Sequence, residues 1–120
     1  AGARQSAGTM DLADTARELE RGARGGFSGE NTTLVVVATN ARLTKVQATK
    51  LAQLAQNGLA RAISPAHTMA DGDLIVTLSS GPLDADVDAL GVAANEATAR
   101  AIVRAVRLAP GLGGLPGLGG

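Results

Sequence analysis

The run Glu30-Asn31-Thr32-Thr33-Leu34-Val35-Val36-Val37-Ala38-Thr39-Asn40 is the most strand-like in the chain, with β-branched residues at six of the eight positions from Thr32 to Thr39. Its apolar centre, Leu34 to Ala38, is continuous rather than alternating, the pattern of a strand covered on both faces. The glycine-rich Arg24-Gly25-Gly26-Phe27-Ser28-Gly29 ahead of it reads as a flexible lead-in. A buried strand that opens on two hydroxyl side chains, just after such a loop, can place a nucleophile at its first residue.

Upstream, residues 1–8 are small and polar and are expected to be disordered or extended. A helix is predicted from Thr9 to about Arg24. Leu12, Ala16, Leu19 and Ala23 share one face, with Asp11 and Asp14 early and Arg21 and Arg24 late, as the helix dipole favours.

Downstream, a turn at Asn40-Ala41-Arg42 leads to Thr44-Lys45-Val46-Gln47, which reads as a capping box. The helix it starts runs to about Ile63, with Leu43, Val46, Leu51, Leu54, Ala55, Leu59 and Ala62 on a broad apolar arc. Gly58 lies on that arc, where a small residue allows close approach, and Ser64-Pro65 ends the helix. Asp73 to Ser80 reads as a second strand closed by Gly81-Pro82. A second long helix follows, from Asp84 or Asp86 to Leu108, with Asp88 in its first turn, Arg100, Arg104 and Arg107 at its end, and Pro110 as its stop.

The order is therefore α-β-α-β-α, a mixed α/β (α+β) chain. Two strands do not make a stable sheet alone, and the chain begins without Met. A fragment or processed piece is expected, its sheet completed by a dimer partner or by a segment not in this sequence.

Composition narrows the function classes. A chain of 120 residues is the size of one small domain. Its apolar content is nearly all Ala, Val and Leu, and Phe27 is its one aromatic residue. Such a core implies closely spaced elements with little burial per residue, and can need a partner for completion. With 11 basic and 11 acidic residues the formal charge is zero, against the basic stripe of a nucleic-acid binder. The absence of Cys excludes disulfides and thiolate metal sites, and a zinc site built on the one His, His67, would need carboxylates for its other ligands. No cofactor is expected. No apolar run is long enough to span a membrane and no signal peptide is visible, so a cytoplasmic protein is the default.

Thr32 is a weak nucleophile inside a chain, and Thr at a strand start is common. Its character changes if the Asn31–Thr32 bond is cut. The new α-amine, with an ordinary pKa of about 7.7–8.0, can take the proton from its own side-chain oxygen. The cut can follow the same logic, the Thr32 hydroxyl attacking the Asn31 carbonyl to give an ester that water hydrolyses. Asp71-Gly72-Asp73 is the second candidate. Its carboxylates point the same way on an extended backbone, Gly72 lets the chain approach a neighbour, and such a pair can orient an amine or hydroxyl. Asp-Gly is also a routine turn dipeptide, so a solvated turn fits as well.

Other candidates are weaker. His67 could be a general base or a loop residue, and Arg100, Arg104 and Arg107 could bind an anion or form a solvated helix face. Ser79-Ser80-Gly81 lacks the flanking pattern of a hydrolase nucleophile elbow. The glycines of the tail, residues 110–120, neither follow a strand nor open a helix, which argues against a phosphate-binding loop.

Taken together, Asn31-Thr32-Thr33-Leu34-Val35-Val36-Val37-Ala38-Thr39-Asn40-Ala41 resembles the autocleavage junction of the autoproteolytic aminopeptidase/amidase family. Leu51-Ala52, Asn57-Gly58-Leu59-Ala60-Arg61-Ala62-Ile63, His67-Thr68, and Asp71-Gly72-Asp73 through Leu78 fit the same pattern, as does the Ala-rich last helix. The family includes L-aminopeptidase/D-esterases, β-peptidyl aminopeptidases and nylon-oligomer hydrolases. Many members carry Ser at the nucleophile position. Thr there, with Asp-Gly-Asp later, is most similar to the 6-aminohexanoate-oligomer endohydrolases.

The resemblance covers Thr32 to about Val106. It implies a part of a layered α-β-β-α sandwich, with Thr32 as nucleophile and Asp71 and Asp73 as the acidic pair that orients it. Residues 1–31 would be the end of a larger subunit, carrying a helix and a cleavage linker; residues 32–109 the small, nucleophile subunit; residues 110–120 a flexible glycine-rich tail. The implied partners are the larger subunit of the same precursor, a small amide or oligoamide substrate, and further copies in a tetramer of cleaved pairs. Oxyanion-stabilising residues would come from the larger subunit, so this chain alone is expected to be inactive. Most relatives carry Asp and Pro at the strand exit, where this chain has Asn40 and Arg42. The rival expectation is a non-enzymatic α/β interaction domain that dimerises through its unpaired sheet edges.

Overall fold

The computed structural model describes residues 11–23, 32–114 and 116–119 of the chain. The glycine-rich lead-in and Asn31 lie outside the described residues, as do residues 1–10. Five elements follow in order: α1 (Thr15–Glu20), β1 (Leu34–Ala41), α2 (Lys45–Ala62), β2 (Leu74–Leu83) and α3 (Val87–Leu108). The α-β-α-β-α order read from the sequence is the one observed.

The first helix is shorter than its periodicity predicts. Asp14 takes the N-cap, its carboxylate accepting the Arg17 N–H, so Asp11 falls ahead of the helix. Gly22, at φ +83°, lies just past its end. None of its residues is buried.

The two long helices are set by their caps. At α2 the Thr44 side chain accepts the Gln47 N–H while the Gln47 side chain accepts the Thr44 N–H, the reciprocal closure expected of Thr-x-x-Gln. At α3 Asp86 accepts the Ala89 N–H at 2.8 Å. The helices touch where Gly58 faces Asn95. A Cβ at Gly58 would lie 2.1 Å from the Asn95 carbonyl oxygen, so only glycine allows this approach.

Strands β1 and β2 pair in parallel, from Leu34↔Leu74 to Thr39↔Ser79, and after an irregularity Ala41 pairs with Leu83. Parallel strands need a crossover, and α2 supplies it. The predicted stop at Gly81-Pro82 does not end β2. The Ser79 hydroxyl donates to the Ala41 carbonyl and accepts the Leu43 N–H, clasping the bulge so that pairing resumes beyond it.

The core is one-sided. Leu51, Ala55 and Leu59 of α2, Ala94 of α3 and Ile75 of β2 form its buried centre, with Val35, Val37, Leu90 and Ile102 packed against it. Burial along β1 alternates, contrary to the expectation of a strand covered on both faces. The reason is topological: both long helices lie on the same side of the sheet. The other face carries Leu34, Val36, Leu74, Val76 and Leu78, all exposed, with Leu34 at 71% and Val36 at 63%. After α3 the tail turns through Gly113 and Gly114 and bridges Gly119 to Pro110. No helix among the described residues is long and apolar enough to cross a membrane.

Candidate active site

The parallel register brings the starts of β1 and β2 side by side. Thr32 and Thr33 precede Leu34, Asp71 to Asp73 precede Leu74, and the two leaders lie together because Leu34 pairs with Leu74. A separation of about forty residues in sequence is thus closed by one strand pairing.

Asp73 is the anchor of this corner. Its side chain is 5% exposed. Oδ1 accepts the Thr33 N–H at 3.0 Å, and Oδ2 accepts the His67 N–H at 3.3 Å. The imidazole Nδ1 of His67 stands 3.4 Å from the same Oδ2. A carboxylate taken out of water is retained by such donors, which replace its lost hydration. His67 sits at φ +57°, a conformation uncommon outside glycine, and that bend turns its N–H to Asp73.

Asp71 closes the next turn. Its Oδ2 accepts the Thr68 N–H at 2.8 Å, and its own N–H donates to the Thr68 carbonyl at 3.1 Å. The two carboxylates therefore hold the backbone at consecutive residues, Thr68 and His67. Between them, Gly72 lies against the Thr32 hydroxyl: a Cβ at Gly72 would sit 2.8 Å from Thr32 Oγ1. Thr32 itself is exposed. The residue its hydroxyl abuts, Gly72, stands between the two acids in sequence, and both acids hold backbone N–H groups nearby.

The profile of peptidase family S58 matches residues 3–118. The chain belongs to peptidase family S58. It is 38% identical over 105 residues to an uncharacterized aminopeptidase of Mycobacterium leprae, covering 75% of this chain. Uncharacterized aminopeptidases of Mycobacterium bovis and Mycobacterium tuberculosis are 37% identical over 101 residues, covering 72% of this chain. The chain spans 29% of the length of each of these curated relatives.

Of the residues singled out in sequence, this S58 chain brings Thr32, Asp71, Asp73 and His67 to one corner. Asn31 lies outside the described residues. Ser79 is occupied at the bulge, and Arg100 pairs with Glu96 at 2.7 Å on the outer side of α3. Two participants escape sequence reasoning. The Thr33 N–H is a backbone group without a residue signature, and the neighbour that Gly72 admits is known only once the strands are paired. Among the described residues, no group of three His, Asp or Glu side chains could hold a metal ion.

Proposed function

We propose that this chain is the nucleophile-bearing portion of a self-cleaving amide hydrolase. The observation that carries the reading is the Thr32 hydroxyl seated against Gly72, within the turn held by Asp71 and Asp73. In the first step the Thr32 oxygen attacks the Asn31 carbonyl. The C–N bond breaks, the nitrogen takes the proton, and an ester joins Asn31 to the Thr32 side chain. Water hydrolyses the ester, leaving the Asn31 carboxylate and a Thr32 that carries a free amine.

That amine then serves as the base for its own hydroxyl. Thr32 attacks the substrate carbonyl, the leaving amine receives the proton, and water releases the acid from the acyl-enzyme. Asp71 and Asp73 act as the acidic pair that holds the new chain end and stabilises the charged form of its amine. The larger subunit of the same precursor supplies the rest of the pocket and the oxyanion donors, and the cleaved pairs assemble further, as a tetramer, in the cytoplasm. The substrate is a small amide, either an amino-acid amide as the relatives' aminopeptidase names favour or a nylon-type oligoamide as Thr32 with Asp-Gly-Asp favours.

The bare apolar face of the sheet suits an assembly domain as well as an enzyme subunit. Thr32 against Gly72 favours the enzyme. Intact mass and N-terminal sequencing of the full-length gene product test the reading. A fragment beginning Thr-Thr-Leu-Val-Val-Val, present in wild type and absent in Thr32→Ala, is the expected result. A single uncut chain, or cleavage that survives Thr32→Ala, would return Thr32 to an ordinary residue ahead of the strand.

A further inference from the structure

We infer that Gly72 is a positioning residue for the Thr32 hydroxyl, an inference that rests on Thr32 being the nucleophile. Glycine is not required here by the backbone, because Gly72 is absent from the residues with positive φ. Nor is it required by a crowded core, because Gly72 is exposed. The requirement comes from one side chain. The three heavy atoms nearest a Cβ at this position are all Thr32's: Oγ1 at 2.8 Å, Cγ2 at 3.6 Å and Cβ at 3.7 Å.

The clash cannot be relieved by retreat of the strand. The Thr33 N–H is held by Asp73 and the Thr33 carbonyl by the Leu74 N–H, each at 3.0 Å. With Thr33 held at both its N–H and its carbonyl, a methyl group at residue 72 instead turns the Thr32 side chain. Thr is stiff at χ1, and passing to another staggered well swings its oxygen by about 2 Å. Attack needs the reacting atoms about 3–3.5 Å apart and aligned, and a displacement of about 1 Å can lower the rate on the order of 100-fold. Gly72 thus keeps the hydroxyl in one well by leaving it space on one side.

The test uses the full-length gene product, scored for release of the Thr32 fragment and for amide turnover. Gly72→Ala should slow both by about 100-fold, with kcat falling and KM nearly unchanged. Thr32→Ser supplies the diagnostic background. Serine keeps the oxygen that a Cβ at residue 72 would meet, so Gly72→Ala should cost about as much there, on the order of 100-fold. Wild-type rates in Gly72→Ala, or a penalty that disappears in the Thr32→Ser background, would overturn the inference. If Gly72→Ala does not fold, a folded Thr32→Ala/Gly72→Ala protein, which lacks the oxygen in the way, supports the steric account, and failure of both overturns it. Thr32→Ala separates the two levels. Its inactivity alongside an unaffected Gly72→Ala removes only the role of Gly72, whereas its continued cleavage removes the nucleophile itself.

Discussion

Asp73 and Thr33 are joined across the mouth of the sheet: the Thr33 N–H donates to Asp73 Oδ1 at 3.0 Å, and the Thr33 carbonyl accepts the Leu74 N–H at the same distance. This closed link lies one residue ahead of the first register pair, Leu34↔Leu74. Asp73→Ala leaves the N–H groups of Thr33 and His67 without their acceptor. An unmet donor costs about 1–3 kcal/mol, and a loss of that size is expected in urea unfolding. Asp73→Asn keeps one acceptor oxygen and should fall between wild type and alanine. Equal losses for the two variants would assign the effect to charge rather than to backbone capture.

The α2–α3 contact depends on Gly58. An added Cβ meets the Asn95 carbonyl oxygen at 2.1 Å and Thr98 Cβ at 2.9 Å, and backbone cannot step aside as a side chain does. Overpacking of this kind costs about 1–3 kcal/mol. Gly58→Ala should therefore lower Tm although alanine is the better helix former. A rise in Tm would mean that propensity outweighs the clash.

The uncovered sheet face makes a separate prediction. Leu34, Val36, Leu74, Val76 and Leu78 are all partly exposed there. Full burial of such side chains is worth about 1.5–3 kcal/mol each, so covering what remains exposed on five of them is worth on the order of 5 kcal/mol. In the full-length protein, Val36→Asp should impair assembly and fragment release. Lys50→Asp, on the exposed side of α2, is the control and should do neither. Undisturbed assembly of the Val36→Asp protein would place that face in solvent.

Glu96 gives the pH dependence. Hydrogen bonds from Arg100 and then Arg61 hold its carboxyl below the ordinary glutamate value. Because the folded value is depressed, the contribution is present above the unfolded value and disappears as pH falls through the folded one. Wild type should exceed Glu96→Gln in Tm at neutral pH, and the gap should close on acidification. All three side chains are substantially exposed, so the gap is small and salt narrows it. A gap that persists in acid would belong to packing instead of charge.

The long helices were the legible part of the chain, because their caps are local. Thr44 with Gln47, and Asp86 before a run of helix formers, encode ends that need no distant partner. Features that depend on what lies across the sheet were not readable. Leu34 to Ala38 is apolar throughout, yet only its inward half is covered here, since both helices fall on one side. Gly81-Pro82 looks like a stop, but Ser79 clasps the bulge and β2 resumes pairing at Leu83. Periodicity placed Val46 on the apolar arc, whereas the buried set of α2 begins only at Leu51, and the first turn overhangs the core. Thr32, Asp71 and Asp73 could be named as candidates from residue types and resemblance. Their meeting place is a consequence of parallel register.

The contacts around Thr32 have a direction along the chain. Among the described residues, Thr33 and Asp73, joined just beyond it, and Gly72, which lies against its hydroxyl, all come after it in sequence. A break ahead of Thr32 leaves each of these contacts within one continuous stretch of chain. The stretch from Thr32 onward holds these contacts among its own residues.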